Sequence, residues 1–237
     1  MTIADLKIKI FADGADLAGL VALAREPWIK GFTTNPTLMA RAGVADYHAF
    51  ANAVLAAVPD RPISFEVFSD NFSEMERQAR EIASWGKNVY VKIPVTNTRG
   101  ESSAMLVRTL SHDGVQINVT AIMTLDQVDE VARAVAGGAP SCISVFAGRI
   151  ADTGRDPVPH MAKALALLER APEAELVWAS PRELLNIFQA DRIGCHIITV
   201  TADILQKIPL IGRDLDQFSL DTVKMFYNDG RRVSFSL

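Results

Sequence analysis

The stretch "VYVKIPVT" (residues 89–96) places one lysine, Lys92, at the centre of a run that otherwise has the composition of a buried strand. An ammonium group loses its hydration when it is buried among apolar side chains, which is unfavourable unless the group has a partner. Two interpretations follow from this. Either Lys92 has a chemical purpose inside the fold, or it lies near a strand end and its side chain reaches solvent.

Apolar runs of strand length recur along the chain and alternate with longer amphipathic segments, of which residues 73–85, 124–136 and 156–170 have helical spacing. The strand candidates are "KIKIFAD" from Lys7, "GFTTN" from Gly31, "PISFEVF" from Pro62, "VYVKIPV" from Val89, "VQINVTAI" from Val115, "CISVFAG" from Cys142, "ELVWAS" from Glu175 and "CHIITVT" from Cys195. Their starts lie about 20 to 33 residues apart, close to the length of one βαβ unit. This pattern predicts an α/β fold in which residues 1–237 form a single (β/α)8 TIM barrel domain.

Local signals at the helix starts and at the first turn agree with this prediction. Ser73 and Glu76 have the spacing of a capping box, and Pro157 follows Asp156 as a first-turn proline follows an N-cap residue. No G-x-G-x-x-G sequence follows the first strand, which argues against a dinucleotide-binding fold. Residues 203–237 exceed what closes the ring, and they are predicted to form a C-terminal helical extension that packs over the barrel or against a neighbouring subunit. We therefore expect a homo-oligomer that forms through this helix.

Composition narrows the function classes. The formal charge is −4 and the chain has no basic block, so a nucleic-acid partner is not expected. No apolar stretch is long enough to cross a membrane and the first residues lack a signal-peptide pattern, so we expect a cytoplasmic protein. Cys142 and Cys195 lie in apolar runs and are predicted to be small buried residues, and the four histidines show no metal-ligand spacing.

In a barrel of this type the active site forms at the carboxyl ends of the strands. Seven of the eight strand candidates have a polar or charged residue near that end: Asp13, Asn35, Glu66, Lys92, Asn118 with Thr120, Ser144 with Arg149, and Ser180 with Arg182. A desolvated amine is partly neutral and attacks carbonyl carbon, carboxylates on separate strands can act as acid and base, and arginines bind phosphate. Together these residues favour Schiff-base chemistry on a phosphorylated, hydroxyl-rich substrate.

Taken singly, several of these residues also have an ordinary structural explanation. Asp13 can cap the next helix, and Asn35 before Pro36 is a common turn pair. Arg149 and Arg182 can be surface charges, and Ser144 a small core residue. Glu66 is harder to explain in this way, because a carboxylate within "SFEVF" needs a partner.

Five motifs, in order and spacing, resemble those of the transaldolase family and most closely its short bacterial branch. They are "GFTTNPTL" from Gly31, "VYVKIPVT" from Val89, "INVTAIMTLDQ" from Ile117, "SVFAGRIADTGRDP" from Ser144 and "WASPRE" from Trp178. The resemblance covers essentially the whole chain. It implies a class I aldolase-type barrel of the pentose phosphate pathway in which Lys92 forms a Schiff base with C2 of a ketose, without cofactor or metal.

The resemblance also assigns the proton transfers and the binding contacts. Asp13 is implied to take the proton of the C4 hydroxyl as the C3–C4 bond breaks, and Glu66, through a water and with Thr120, to assist formation and dehydration of the carbinolamine. The implied binding residues are Asn35, Asn118 and Ser144 for the hydroxyls, Arg149, Ser180 and Arg182 for the phosphate, and Phe146 beside them.

The reaction implied is the transfer of dihydroxyacetone from fructose 6-phosphate to erythrose 4-phosphate, which gives sedoheptulose 7-phosphate and glyceraldehyde 3-phosphate. Fructose 6-phosphate aldolase is similar to this sequence but typically has glutamine where Glu66 stands and tyrosine where Phe146 stands. That aldolase, or a transaldolase-like enzyme that uses another ketose, remains an alternative. A sugar-phosphate-binding barrel without turnover and an isomerase or epimerase barrel without an imine are alternatives from other classes.

Overall fold

The architecture is a closed ring of eight parallel strands in sequential order, as the strand and helix pattern predicted. The structure is a computed structural model and describes residues 2–233. The strands are β1 (Lys9–Asp13), β2 (Ile29–Thr33), β3 (Ile63–Glu66), β4 (Val89–Pro94), β5 (Ile117–Ile122), β6 (Ser141–Val145), β7 (Ala174–Trp178) and β8 (Ile197–Thr201). Pairing of β8 with β1, in a register that sets Lys9 opposite Ile197 and Asp13 opposite Thr201, closes the ring. The (β/α)8 fold is therefore confirmed.

Helices connect successive strands and cover the outside of the barrel. They are α1 (Leu17–Leu23), α2 (Pro36–Arg41), α3 (Tyr47–Ala57), α4 (Phe72–Ala83), α5 (Ala104–His112), α6 (Leu125–Val135), α7 (Ala147–Asp152), α8 (Pro157–Leu167), α9 (Leu185–Arg192), α10 (Ala202–Leu205) and α11 (Leu215–Val233). Two helices follow β2 and two follow β6. Those longer connections place α2 and α7 at the carboxyl ends of the strands, where their side chains can reach the mouth of the barrel.

Two apolar clusters reflect the alternation of side chains along the strands. The large one joins outward-facing strand residues, such as Phe32 and Phe65, to the helices. The small one fills the barrel interior with Phe11, Cys142, Val177 and Ile197. The ring of Phe11 lies against Gly31, where an added Cβ would come within 2.6 Å of it, so only glycine leaves room for this packing.

One predicted helix start is confirmed and the other is wrong. The Asp156 carboxylate accepts a hydrogen bond from the Val158 backbone at 2.9 Å, and Pro157 begins α8, as predicted. The predicted capping box of Ser73 and Glu76 does not form, because α4 begins earlier. Asn71 is its N-cap residue, and its side chain accepts from the Ser73 backbone at 3.0 Å.

Residues 203–233 contain the end of α10 and all of α11. Within residues 215–233 no side chain of α11 is buried, so the predicted packing over the barrel is not observed for this helix. Leu215 and Phe226 are 78% and 65% exposed. Residues 234–237 of the predicted extension lie outside the described residues. None of the helices within residues 2–233 has both the length and the apolar character needed to cross a membrane.

Candidate active site

A cavity of about 930 Å³ opens at the carboxyl ends of the strands. All eleven residues singled out in the sequence line it: Asp13, Asn35, Glu66, Lys92, Asn118, Thr120, Ser144, Phe146, Arg149, Ser180 and Arg182. The barrel thus brings together side chains that are far apart in the chain, from Asp13 to Arg182. Their grouping makes this cavity the candidate active site, whereas the role of each residue stays a prediction.

Lys92 lies inside the barrel and does not extend to solvent. Its side chain is 8% exposed, and its Nζ lies 3.0 Å from Oε2 of Glu66 and donates to the Thr34 carbonyl at 2.7 Å. The register of the barrel explains the ion pair, because Glu66 on β3 lies directly opposite Lys92 on β4. The amine therefore has a carboxylate within reach that can accept its proton.

Asp13 ends β1 and lies on the other side of the same pocket. Thr33 donates to its Oδ1 at 2.7 Å and the Asn35 amide to its Oδ2 at 3.4 Å. Burial raises the pKa of this carboxyl, although the charge of Lys92 and the hydrogen bonds of Thr33 and Asn35 oppose the rise. The helix-cap explanation of Asp13 is wrong, because Asp16 caps α1 through the Gly19 backbone at 2.8 Å.

Asn35 has both a structural and a pocket contact. Its Oδ1 accepts from the Leu38 backbone at 2.9 Å and caps α2, while its Nδ2 reaches Asp13. The turn that Asn35 and Pro36 make therefore also fixes the amide donor beside the carboxylate. The two interpretations of this residue are compatible.

A short chain of hydrogen bonds crosses the pocket between β3, β5 and β6. Ser144 donates to Oδ1 of Asn118 at 2.7 Å, and Nδ2 of Asn118 donates to the Ser64 hydroxyl at 3.0 Å. Sequence reasoning missed Ser64, although its position two residues before Glu66 puts it on the same face of β3. These bonds fix the amide orientation of Asn118, so a substrate meets a group that is already ordered.

The end of β5 bends where Thr120 enters the pocket. The pairing of β5 with β6 shifts register between Val119 and Ile122, and Ala121 has a φ of 63°. Such a bulge re-aims the neighbouring side chain. Asn118 and Thr120 both line the cavity, as their spacing of two predicted.

The segments after β6 and β7 interlock at the far side of the pocket. An added Cβ on Gly148 would lie 1.5 Å from the Ser180 carbonyl oxygen, so the two backbones touch. Ser180 itself has a φ of 60°, a conformation that non-glycine residues rarely adopt. This close packing places Arg149 of α7 and Arg182 at the same wall of the cavity.

Arg182 forms an ion pair that the sequence did not indicate. Its Nε donates to Oδ1 of Asp152 at 2.9 Å, and a terminal nitrogen donates to Oδ2. The Arg182 hydrogen bonds lower the pKa of Asp152. The guanidinium of Arg149 lies 5.4 Å from the ring centre of Phe146. Arg41, on α2, adds a third guanidinium to the cavity wall.

Comparison with known proteins identifies the family of this chain. The family model described as "Transaldolase/Fructose-6-phosphate aldolase" matches residues 10–236. The chain is 33% identical over 218 residues to a "Probable transaldolase" of Dehalococcoides mccartyi, covering 90% of this chain and 97% of the relative. It is 31% identical over 220 residues to a "Probable transaldolase 2" of Listeria monocytogenes, covering 90% and 95%.

A solved structure of a Burkholderia cenocepacia J2315 protein has a TM-score of 0.61 at 15% identity, covering 96% of this chain and 84% of that one. At this identity the likeness supports the fold alone. The family match spans nearly the whole barrel and includes every residue of the pocket described above. On this evidence, the chain belongs to the transaldolase/fructose-6-phosphate aldolase family.

Proposed function

We propose that this protein is a transaldolase that moves a dihydroxyacetone unit from fructose 6-phosphate to erythrose 4-phosphate through a Schiff base on Lys92. Membership of the family supports transaldolase-type aldol chemistry. One observation carries the finer proposal: the Lys92 amine is buried in the pocket, 3.0 Å from the Glu66 carboxylate. A buried amine beside a proton acceptor is the arrangement that an imine-forming nucleophile needs.

Formation of the covalent intermediate begins with transfer of the Lys92 ammonium proton to Glu66. The neutral amine attacks C2 of the ketose and gives a carbinolamine. The C2 hydroxyl then leaves as water, with a proton that Glu66 returns, either directly or through a water near Thr120. The product is an iminium ion at C2, which withdraws electrons from the C3–C4 bond.

Cleavage and transfer use the second carboxylate. Asp13 takes the proton of the C4 hydroxyl as the C3–C4 electron pair moves to the iminium, so an enamine and glyceraldehyde 3-phosphate form. The enamine then attacks the aldehyde carbon of erythrose 4-phosphate, and Asp13 returns the proton to the new hydroxyl. Water hydrolyses the resulting imine and releases sedoheptulose 7-phosphate, which regenerates the amine.

The remaining pocket residues bind the sugar in this proposal. Asn35, Asn118 and Ser144 hold the hydroxyls of the retained unit, and Arg149, Ser180 and Arg182 bind the phosphate. The ring of Phe146 cannot hydrogen-bond a water, which leaves water poorly placed to protonate the enamine before the acceptor arrives. This favours transfer over release of dihydroxyacetone.

Borohydride trapping tests the covalent step. Incubation with fructose 6-phosphate and borohydride is expected to add a dihydroxyacetone-sized mass at Lys92, and Lys92→Ala is expected to remove it while the fold remains. A label that persists in Lys92→Ala, or none in the unmodified protein, would contradict the assignment. Reactions with and without erythrose 4-phosphate then separate transfer from aldol cleavage, because the aldolase alternative requires release of free dihydroxyacetone when this acceptor is left out.

We also propose that α11 packs against another copy of this chain. The support is its apolar face: Phe218, Val223 and Phe226 are 40%, 59% and 65% exposed, and no side chain within residues 215–233 is buried. Sedimentation should show an oligomer that Phe226→Asp dissociates, and a monomeric unmodified protein would refute this. A cytoplasmic location and the lack of nucleic-acid and membrane partners stay predictions.

A further inference from the structure

Glu66, which pairs with Lys92, ends β3 at a point where the neighbouring strand β2 no longer continues. The β2–β3 ladder pairs Phe32 with Ile63 and Thr33 with Ser64, and it ends with a hydrogen bond from the Thr34 backbone to the Ser64 carbonyl at 3.2 Å. Asn35 then caps α2 and directs the chain away. The backbone of Glu66 therefore faces a position that β2 does not fill.

Continuation of the ladder would give Glu66 two partners, and neither forms. In a parallel pair the next bond would run from the Glu66 N–H to the Thr34 carbonyl, but that carbonyl accepts instead from Nζ of Lys92 at 2.7 Å. The bond after it would come from the backbone nitrogen of residue 36, which is a proline and has no hydrogen.

The hydroxyl of Tyr47 fills both vacancies. The Glu66 N–H donates to the Tyr47 oxygen at 2.8 Å, and the Tyr47 O–H donates to the Glu66 carbonyl at 3.1 Å. One phenol thus takes the place of the missing strand residue as the partner of both the N–H and the carbonyl of Glu66. Burial raises the pKa of Tyr47, so the hydroxyl keeps the proton that it donates.

Aromatic neighbours fix the ring of Tyr47. Edge-on contacts join it to Phe65, Phe68 and Trp85, with ring centres 6.0, 4.8 and 5.5 Å away. The Asp46 side chain caps α3, on which Tyr47 is the first residue. Tyr47 itself does not line the described cavity. Its hydroxyl is therefore held rigidly and cannot serve as a substrate contact in this arrangement.

We propose that Tyr47 is a positioning residue that holds Glu66 beside Lys92 and leaves the Thr34 carbonyl available to the lysine amine. This proposal rests on the proposed function for its catalytic consequence. According to the proposal, a residue outside the pocket sets the geometry of the ion pair from which the Schiff base forms. Loss of the hydroxyl would free the end of β3 and let the Glu66 backbone compete for the Thr34 carbonyl.

Tyr47→Phe removes the hydroxyl and keeps the ring. We expect it to slow formation of the borohydride-trappable adduct roughly ten- to a hundredfold, because misplacement of a catalytic group by about 1 Å has effects of this size. The pH profile of trapping should also shift. Trp85→Phe is the matched control: it alters the same aromatic cluster without touching the hydroxyl, so its trapping rate and pH profile should stay near those of the unmodified protein.

A double-mutant cycle separates positioning from general destabilisation. If Tyr47 acts through Glu66, Tyr47→Phe should slow trapping little further in a Glu66→Gln background. An equal slowing in both backgrounds, or a rate for Tyr47→Phe equal to that of Trp85→Phe, would overturn the proposal.

Amide hydrogen exchange tests the hydrogen bond between the Glu66 N–H and the Tyr47 hydroxyl in the unmodified protein, and it stays informative if Tyr47→Phe does not fold. The Glu66 amide should exchange as slowly as amides within the barrel ladder, although no strand residue accepts from it. Rapid exchange at Glu66 would overturn the proposal. Absence of any adduct in the unmodified protein would instead refute the proposed function, and the exchange measurement would still test the hydrogen bond between the Glu66 amide and the Tyr47 hydroxyl.

Discussion

Replacement of Asp13 by asparagine should stabilise the protein and greatly slow carbon–carbon bond cleavage. Burial raises the pKa of this carboxyl, which means that its ionisation is unfavourable in the folded state. Asparagine has nearly the same shape but no charge to desolvate. It also cannot accept the proton of the C4 hydroxyl, so the chemical step should lose roughly 10²- to 10⁴-fold in rate.

The expected change in melting temperature depends on the free energy gained and on the size of the domain. Relief of one unfavourable feature typically adds about 0.5–2 kcal/mol to the free energy of unfolding. For a chain of 150–250 residues, 1 kcal/mol corresponds to roughly 2–4 °C in melting temperature. We therefore expect Asp13→Asn to raise Tm by roughly 1–8 °C at pH 7.

The sign of the pH dependence is fixed by the direction of the pKa shift. Between the ordinary aspartate pKa of 3.8 and the raised pKa of the folded state, folded Asp13 holds a proton that the unfolded chain has lost, so its contribution to stability falls as the pH rises. The Tm advantage of Asp13→Asn should thus be largest above the raised pKa. It should shrink as the pH is lowered toward 3.8.

Thermal unfolding at several pH values, combined with borohydride trapping, tests this prediction. Asp16→Asn is the matched control, because asparagine caps a helix as well as aspartate and Tm should change little. Asp13→Asn should still form the Schiff-base adduct. A Tm at pH 7 below that of the unmodified protein, or retained transfer activity, would contradict this prediction.

Three further outcomes are expected at the pocket wall. Arg182→Ala should weaken the use of phosphorylated substrates about ten- to a hundredfold in kcat/KM, with much less effect on non-phosphorylated ones, and an equal loss on both would contradict a phosphate contact. Phe146→Tyr should raise release of dihydroxyacetone without acceptor, measured as free product per turnover, and unchanged partitioning would argue against the role given to the phenyl ring. Gly148→Ala should lower the free energy of unfolding by about 1–3 kcal/mol or more, since its Cβ would meet the Ser180 carbonyl at 1.5 Å; an unchanged Tm would disprove that contact.

The side-chain part of the site was predictable because a parallel barrel gathers strand ends. Alternation along β5 placed Asn118 and Thr120 on one face, and strand order placed Glu66 beside Lys92. The same rule contained Ser64, which was overlooked. Asp152 could not be found with this rule, because it ends a helix, α7, and strand periodicity says nothing about helix positions.

Backbone partners were not predictable in this way. The carbonyl of Thr34 contacts the Lys92 amine, and the hydroxyl of Tyr47 contacts the Glu66 backbone, only because β2 leaves the sheet two residues before β3 ends. The residue types do not indicate which backbone carbonyl will lack a partner in the strand ladder. Ser180, which has a positive φ, likewise lies against Gly148, and this contact joins segments that are distant in the chain.

Charge balance within the pocket links the two carboxylates to one another. With all three groups ionised, the positive charge of Lys92 balances only one of the two carboxylates, Glu66 and Asp13, and Glu66 adds to the upward shift in the pKa of Asp13. When the lysine proton passes to Glu66, the net charge is unchanged, because the proton stays within the group. When the iminium forms, it restores the positive charge at the position of the ammonium. Asp13 therefore faces a cation again at the moment when it must accept the C4 proton as a base, and the iminium that draws electrons from the C3–C4 bond also favours the ionised form of the carboxylate that starts the cleavage.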